Sequence, residues 1–165
     1  MNALNTYQHS LLSELIARHI PFLVVGGWAV YLHGIPERVV PDLDIWISPK
    51  QLDPGEMTEA LVACNVPEDK ARAFCRRLQD EGDERPKGCM KPPFSIDIIV
   101  RDLEGAKFSL AISRQASFKV QGLTLPVIGF DDLLAVKSAT EGAKHQNDAQ
   151  ALRTLRATDQ SSDAM

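Results

Sequence analysis

Phe22-Leu23-Val24-Val25-Gly26-Gly27-Trp28-Ala29-Val30-Tyr31-Leu32-His33-Gly34 is the stretch that decides how this chain folds. Its first four residues are apolar without interruption, the pattern of a short strand buried on both faces. Gly26-Gly27 then breaks the run, and residues 28–33 read as a short helix stopped by Gly34. A strand that turns into a helix through glycines lets the backbone come close to a ligand. The free N–H groups at such a helix start favour an anion such as phosphate. Taken alone, a Gly-Gly pair at this kind of turn more often serves geometry only.

Two acid-bearing runs give the glycine turn its weight. Leu43, Ile45 and Ile47 alternate with Asp42, Asp44, Trp46 and Ser48, the period of a strand. That period puts Asp42 and Asp44 on one face. Two like charges held so close are unfavourable unless a positive charge lies between them. The natural partner for paired carboxylate oxygens is a hard divalent cation, Mg²⁺ above all. Further on, Ser95-Ile96-Asp97-Ile98-Ile99 puts an acid inside an apolar strand. A lone carboxylate there costs roughly several kcal/mol unless it is paired, protonated or at a metal. Asp97 is therefore either a solvent-facing acid with Ser95 and Arg101 as same-face neighbours, or a third carboxylate meeting Asp42 and Asp44 across a sheet. Asp102 is a weaker rival for that place.

Around these runs the chain reads as one α+β domain over residues 1–156. Leu11, Leu12, Leu15 and Ile16 predict an amphipathic helix over 5–19, ended by Pro21. Asp53-Pro54-Gly55-Glu56 is a helix start. Ala71, Phe74, Cys75 and Leu78 share a face of a second helix beginning near Pro67. Residues 82–93, with three prolines and two glycines, read as a loop, and 94–100 as a strand. A hairpin is expected over 118–125. Helix returns from Asp131 through Lys137 and again over 147–156, leaving 157–165 as a mobile polar tail. The expected architecture is a mixed β-sheet flanked by helices, with a C-terminal helical segment.

Composition narrows the function classes. The chain has 165 residues, 24% charged and 44% hydrophobic, with a formal net charge of −4. That suits a single globular domain and excludes a strongly basic nucleic-acid coat protein, though not a local patch that holds nucleic acid. No stretch approaches the ~20 apolar residues of a membrane span. The start carries no signal-like core, so a cytoplasmic location is expected. Cys64, Cys75 and Cys89 fit neither a disulfide framework nor a zinc cluster. His9, His19, His33 and His145 form no metal-binding pair.

The run 24–34, then Arg38, then Asp42-Leu43-Asp44-Ile45-Trp46-Ile47, resembles the polymerase beta-type nucleotidyltransferase superfamily. It is most similar to small bacterial members related to the abortive-infection nucleotidyltransferase toxins. The similarity continues through Phe94-Ser95-Ile96-Asp97-Ile98-Ile99 and Asp131-Asp132-Leu133-Leu134-Ala135-Val136-Lys137. The resemblance implies the nucleotidyltransferase fold. It also implies that Gly26 and Gly27 receive nucleotide phosphates, that Asp42 and Asp44 hold two Mg²⁺ ions (Mn²⁺ substituting), and that Asp97 completes the site beside the acceptor. Lys137 matches a helix lysine that points to the triphosphate, and Arg38 the basic residue before the acid pair. Gly27 stands where many relatives carry Ser, and Val39-Val40-Pro41 where they carry Thr or Ser. Lys144-His145-Gln146-Asn147-Asp148 matches their Arg-x-Lys-Asp pattern only loosely.

The implied reaction moves a nucleoside monophosphate from a nucleoside triphosphate to a hydroxyl acceptor, with release of pyrophosphate. The acceptor stays open between an RNA end, a protein side chain and a small molecule. Lys70, Arg72, Arg76, Arg77, Arg85, Lys87 and Lys91 crowd one segment, but interleaved acids favour a solvated mixed surface. The competing reading is a non-catalytic binding module, one member of a toxin–antitoxin pair with a cognate protein partner.

Overall fold

The computed structural model describes residues 1–48, 50–79 and 87–164, with backbone alone at 87–89. The apolar run is strand β1, Leu23–Val25, and it passes without a loop into helix α2, Gly26–Leu32. The alternating run is β2, Leu43–Trp46, and the acid-bearing run is β4, Ile96–Ile99. Between them lie two helices, α3 (Pro54–Ala63) and α4 (Glu68–Leu78). Asp53 caps α3, its carboxylate accepting from the N–H groups of Gly55 and Glu56. The α4 face that is buried comprises Ala71, Phe74, Cys75 and Leu78, as the periodicity predicts.

Residues 82–93 are not wholly a loop. Strand β3, Lys87–Met90, pairs antiparallel with β4. Nothing in Lys87-Gly88-Cys89-Met90 favours a strand locally; the free edge of β4 supplies the pairing that propensity does not. The remainder of the expected loop, 82–86, lies outside the described residues. Strands β5 (Ala116–Val120) and β6 (Leu123–Val127) form the expected hairpin, turned at Gln121 and Gly122, both in the left-handed region.

All six strands join one mixed sheet in the order β3-β4-β2-β1-β6-β5. β1 runs antiparallel to β2 and parallel to β6, while β2 and β4 are parallel. Helix α1, Thr6–Ala17, buries Leu11, Leu12 and Leu15 in the core. Its first turn is tied to the sheet. The Asn5 amide donates to the carbonyls of Pro93 and Phe94, and the buried Gln8 amide to those of Pro41 and Ser95. These bonds pin the chain where it enters β2 and β4.

Helix α6, Phe130–Ala139, and helix α7, Ala143–Asp163, pack on each other at the C-terminal side of the fold. A short helix α5, Phe108–Ala111, covers Trp46, whose ring meets Phe108 edge-on at 5.2 Å. Helix α7 is longer than the expected 147–156 at both ends, so residues 157–163 are its last turns and not a separate tail. No glycine or proline interrupts that segment. Hydroxyls of Thr158, Ser161 and Ser162 bond back to carbonyls four residues earlier, so these short polar side chains are satisfied within the helix. Among the described residues no helix is long and apolar enough to cross a membrane.

Candidate active site

The register of three strands builds the site. Val25 at the end of β1 lies opposite Asp44, and Asp44 lies beside Asp97 across the parallel β2–β4 pair. Residues in register on neighbouring strands point to the same face, about 4.8 Å apart in the hydrogen-bonding direction. Both carboxylates therefore stand side by side, half-buried. Leu43, Ile45, Ile96 and Ile98 take the other face and are completely or almost completely buried. The acid-bearing strand thus has two unlike faces, and its Asp97 stands in register with Asp44 on the neighbouring strand.

The expected third member does not join them. Asp42 is exposed, one residue ahead of β2. Among the described residues no three Asp, Glu, His or Cys side chains are grouped so as to hold a metal ion. Asp102 is occupied elsewhere, its carboxylate accepting from the N–H of Phe108 at the start of α5.

Gly26 sits directly against the acid pair. Its φ is +65°, and a Cβ added there would lie 2.1 Å from Oδ2 of Asp44. Two independent facts exclude a side chain: the left-handed backbone and the carboxylate that fills the space. Gly27 is also tight, since a Cβ would lie 2.9 Å from Cγ1 of Val40. Gly26→Ala is expected to cost about 1–3 kcal/mol in backbone strain and to push Asp44 aside. Thermal unfolding measures it, and an alanine variant with an unchanged midpoint would contradict this close approach.

Facing the acids is a buried cluster that spacing in the sequence could not assemble. Lys137 on α6 is only 3% exposed and Asp148 on α7 only 6%. Lys137 Nζ lies 2.9 Å from Asp148 Oδ2 and 3.3 Å from His145 Nδ1. Arg38 Nε donates to the other carboxylate oxygen, Asp148 Oδ1, at 3.0 Å. Lys137 is therefore no solvated helix lysine, and Asp148 orients both cations. Lys144 stands apart, exposed. Burial, and next the charge of Lys137, hold His145 below the ordinary imidazole range.

A pocket of about 300 Å³ joins the two halves, lined by Gly26 and Asp44 on one side and Lys137, Thr140 and His145 on the other. Apolar walls come from Val25, Ile99, Leu103, Ile128, Leu133 and Val136, and Arg101 and Glu104 complete the lining. Asp97 flanks Asp44 without lining this cavity. Arg101 is held by a bond from the Trp46 indole to its carbonyl, 2.6 Å. Sequence reasoning missed His145 and Glu104 as pocket residues, and named Arg101 only as a neighbour of Asp97. A helix register on α7 shared with Asp148 was the one available signal for His145.

The donor set suits a hard cation. Two adjacent carboxylates offer oxygen ligands only, and Mg²⁺ is commonly held by one or two carboxylates with waters and substrate phosphates filling the rest. Asp44 and Asp97 are the described residues whose chemistry would suit one such ion.

No protein-family model matches the chain, and no curated protein matches it in sequence. Its fold is similar to the crystal structure of a candidate nucleotidyltransferase from Thermotoga maritima. That similarity has 14% identity and a TM-score of 0.48, and covers 94% of this chain and 86% of that one.

Proposed function

We propose that this chain is a nucleotidyltransferase that joins a nucleoside monophosphate to a hydroxyl acceptor. The observation that carries the reading is the approach of Gly26 to Asp44, with Asp97 alongside, at the mouth of a pocket that presents Lys137. A glycine backbone, paired carboxylates and a fixed cation are what binding a metal-complexed triphosphate requires.

The acceptor oxygen forms a bond to the α-phosphorus as the bond to pyrophosphate breaks. Mg²⁺, when bound by Asp44 and Asp97, would offset the phosphate charge and ease loss of the hydroxyl proton. Asp97 would take that proton. Lys137, kept in place by Asp148, sets a positive charge against the outer phosphates. Gly26 lets a phosphate approach the backbone, and the apolar wall takes the uncharged part of the nucleotide. Asp42, exposed beside the pair, serves the entrance, and two-ion binding would require it to turn inward.

Thermal unfolding with Mg²⁺ and a nucleoside triphosphate tests binding. Ligand at a hundred times its Kd stabilises by about 2.7 kcal/mol, worth roughly 5–10 °C in a domain of this size. No change at saturating ligand would refute the reading. Binding without pyrophosphate release from any acceptor, including RNA, protein and small-molecule hydroxyls, would assign the chain to the non-catalytic class instead.

A further inference from the structure

We propose that His145 is a further contact for the outer phosphates of the triphosphate and takes up a proton when they arrive; this rests on the nucleotide reading of the cavity. His145 stands in the first turn of α7 and lines that cavity beside Lys137 and Thr140. Its Nδ1 is the ring nitrogen turned to Lys137, 3.3 Å from Nζ. Its Nε2 has no protein partner among the described residues. A neutral imidazole offers one donor, and a charged one offers two.

The charges around the ring decide when it can hold a proton. Lys137 on α6, Arg38 on the segment before β2 and Lys144 on α7 act on it as cations, against the single carboxylate of Asp148. That carboxylate is already engaged by Lys137 and Arg38. Asp44, Arg101 and Glu104 line the same cavity. The last two are of opposite sign, and under the transfer reading the charge of Asp44 is matched by the metal. A proton on His145 would therefore add a third cation to a cluster with one anion. Partial burial opposes it, and so does the positive end of the α7 dipole. An ammonium has donors only, so a proton on Nδ1 would also face Lys137 donor to donor.

A triphosphate changes each of these terms. Its outer phosphates bring the missing negative charge and accept from both cations, so the ring gains a proton as the anion enters. Lys137 supplies charge at all times, and its partner Asp148 makes that tolerable in the empty cavity. His145 supplies charge only when there is an anion to receive it. A second lysine in its place would leave an uncompensated cation in the empty protein.

Isothermal titration calorimetry of the full chain with Mg²⁺ and each of the four ribonucleoside triphosphates tests this. Two buffers of different ionisation enthalpy read the protons taken up. For the tightest of the four, net uptake is expected near neutral pH in the wild-type chain and clearly less in H145Q. The glutamine stays neutral and polar, so the difference removes any proton that the nucleotide or another group exchanges. Binding raises the affinity of the ring for a proton, so the gain in triphosphate affinity develops as pH falls through the bound-state pKa. The advantage of wild type over H145Q is expected to grow at least about threefold from about pH 8 to about pH 6. Should H145Q fail to fold, H145N takes its place, and the wild-type uptake is read in either case. Binding without proton uptake overturns the proposal, as does a variant with unchanged uptake. An affinity loss equal at every pH overturns it too, because His145 would then only steady Lys137. These outcomes leave the nucleotide site standing, whereas failure of all four triphosphates to bind would sink that reading and this inference together.

Discussion

Asp44→Asn and Asp97→Asn are each expected to reduce acceptor-dependent pyrophosphate release by at least about a thousandfold, with the melting temperature little changed. The two side chains occupy neighbouring register positions on one face of the sheet, and under the transfer reading each would supply half of the oxygen ligands to the metal. Loss of either removes charge stabilisation worth roughly several kcal/mol in the transition state, and about 1.4 kcal/mol corresponds to tenfold in rate. Amide replacements keep shape and size while removing the charge, so an effect of this size at an unchanged melting temperature reports charge and not packing. Asp42→Asn is expected to lose far less, about tenfold, because its side chain is exposed and outside the pair. A steady-state assay of pyrophosphate release across the three variants decides the matter. Equal losses at all three positions would show that the entrance acid closes onto the pair during turnover, and full activity in Asp44→Asn would end the transfer reading.

Asp148→Ala is expected to destabilise the fold more than Gly26→Ala does. It leaves Lys137, 3% exposed, without the carboxylate 2.9 Å away and takes from Arg38 its partner at 3.0 Å. Removing one partner of a buried ion pair costs about 3–5 kcal/mol, since an uncompensated charge remains inside. At roughly 2–4 °C per kcal/mol for a domain of this size, the midpoint should fall by roughly 6–20 °C. Lys137→Met combined with Asp148→Leu removes both charges and is expected to recover most of that stability, while triphosphate affinity stays low. The pair of measurements separates two roles: stability follows the balance of buried charge, and nucleotide binding follows the presence of the lysine. Recovery of both in the double variant would show that the cluster is structural only.

The elements that follow from local chemistry were legible in the chain itself. The uninterrupted apolar run became β1, the alternating run β2, the Asp53-Pro54 start α3, and the four-residue apolar face of α4 was buried as its periodicity dictates. The same period of two marked Asp44 and Asp97 as acids on strands otherwise apolar. That order and spacing could not say which strands are neighbours. A parallel β2–β4 register is a long-range fact, decided by burial of Leu43, Ile45, Ile96 and Ile98 against the helices, and only it sets one carboxylate beside the other. The edge strand β3 was equally hidden, because its pairing comes from β4 and not from its own residues.

Charge shows the same division. Sequence counts bases and acids, but a helix distributes them by face, so the mixed run of α4 became a crevice shared by arginines and glutamates on one side and a groove lined by Lys70, Arg77 and Lys91 on the other. Lys137 and Asp148 are eleven positions apart on different helices, and each alone looks like a solvated surface residue. Packing α6 against α7 removes both from water, and the cost of leaving either charge unpaired makes them partners. Local periodicity is written in the chain because it depends on near neighbours; pairing across the fold is not, because it is settled by which surfaces exclude water together.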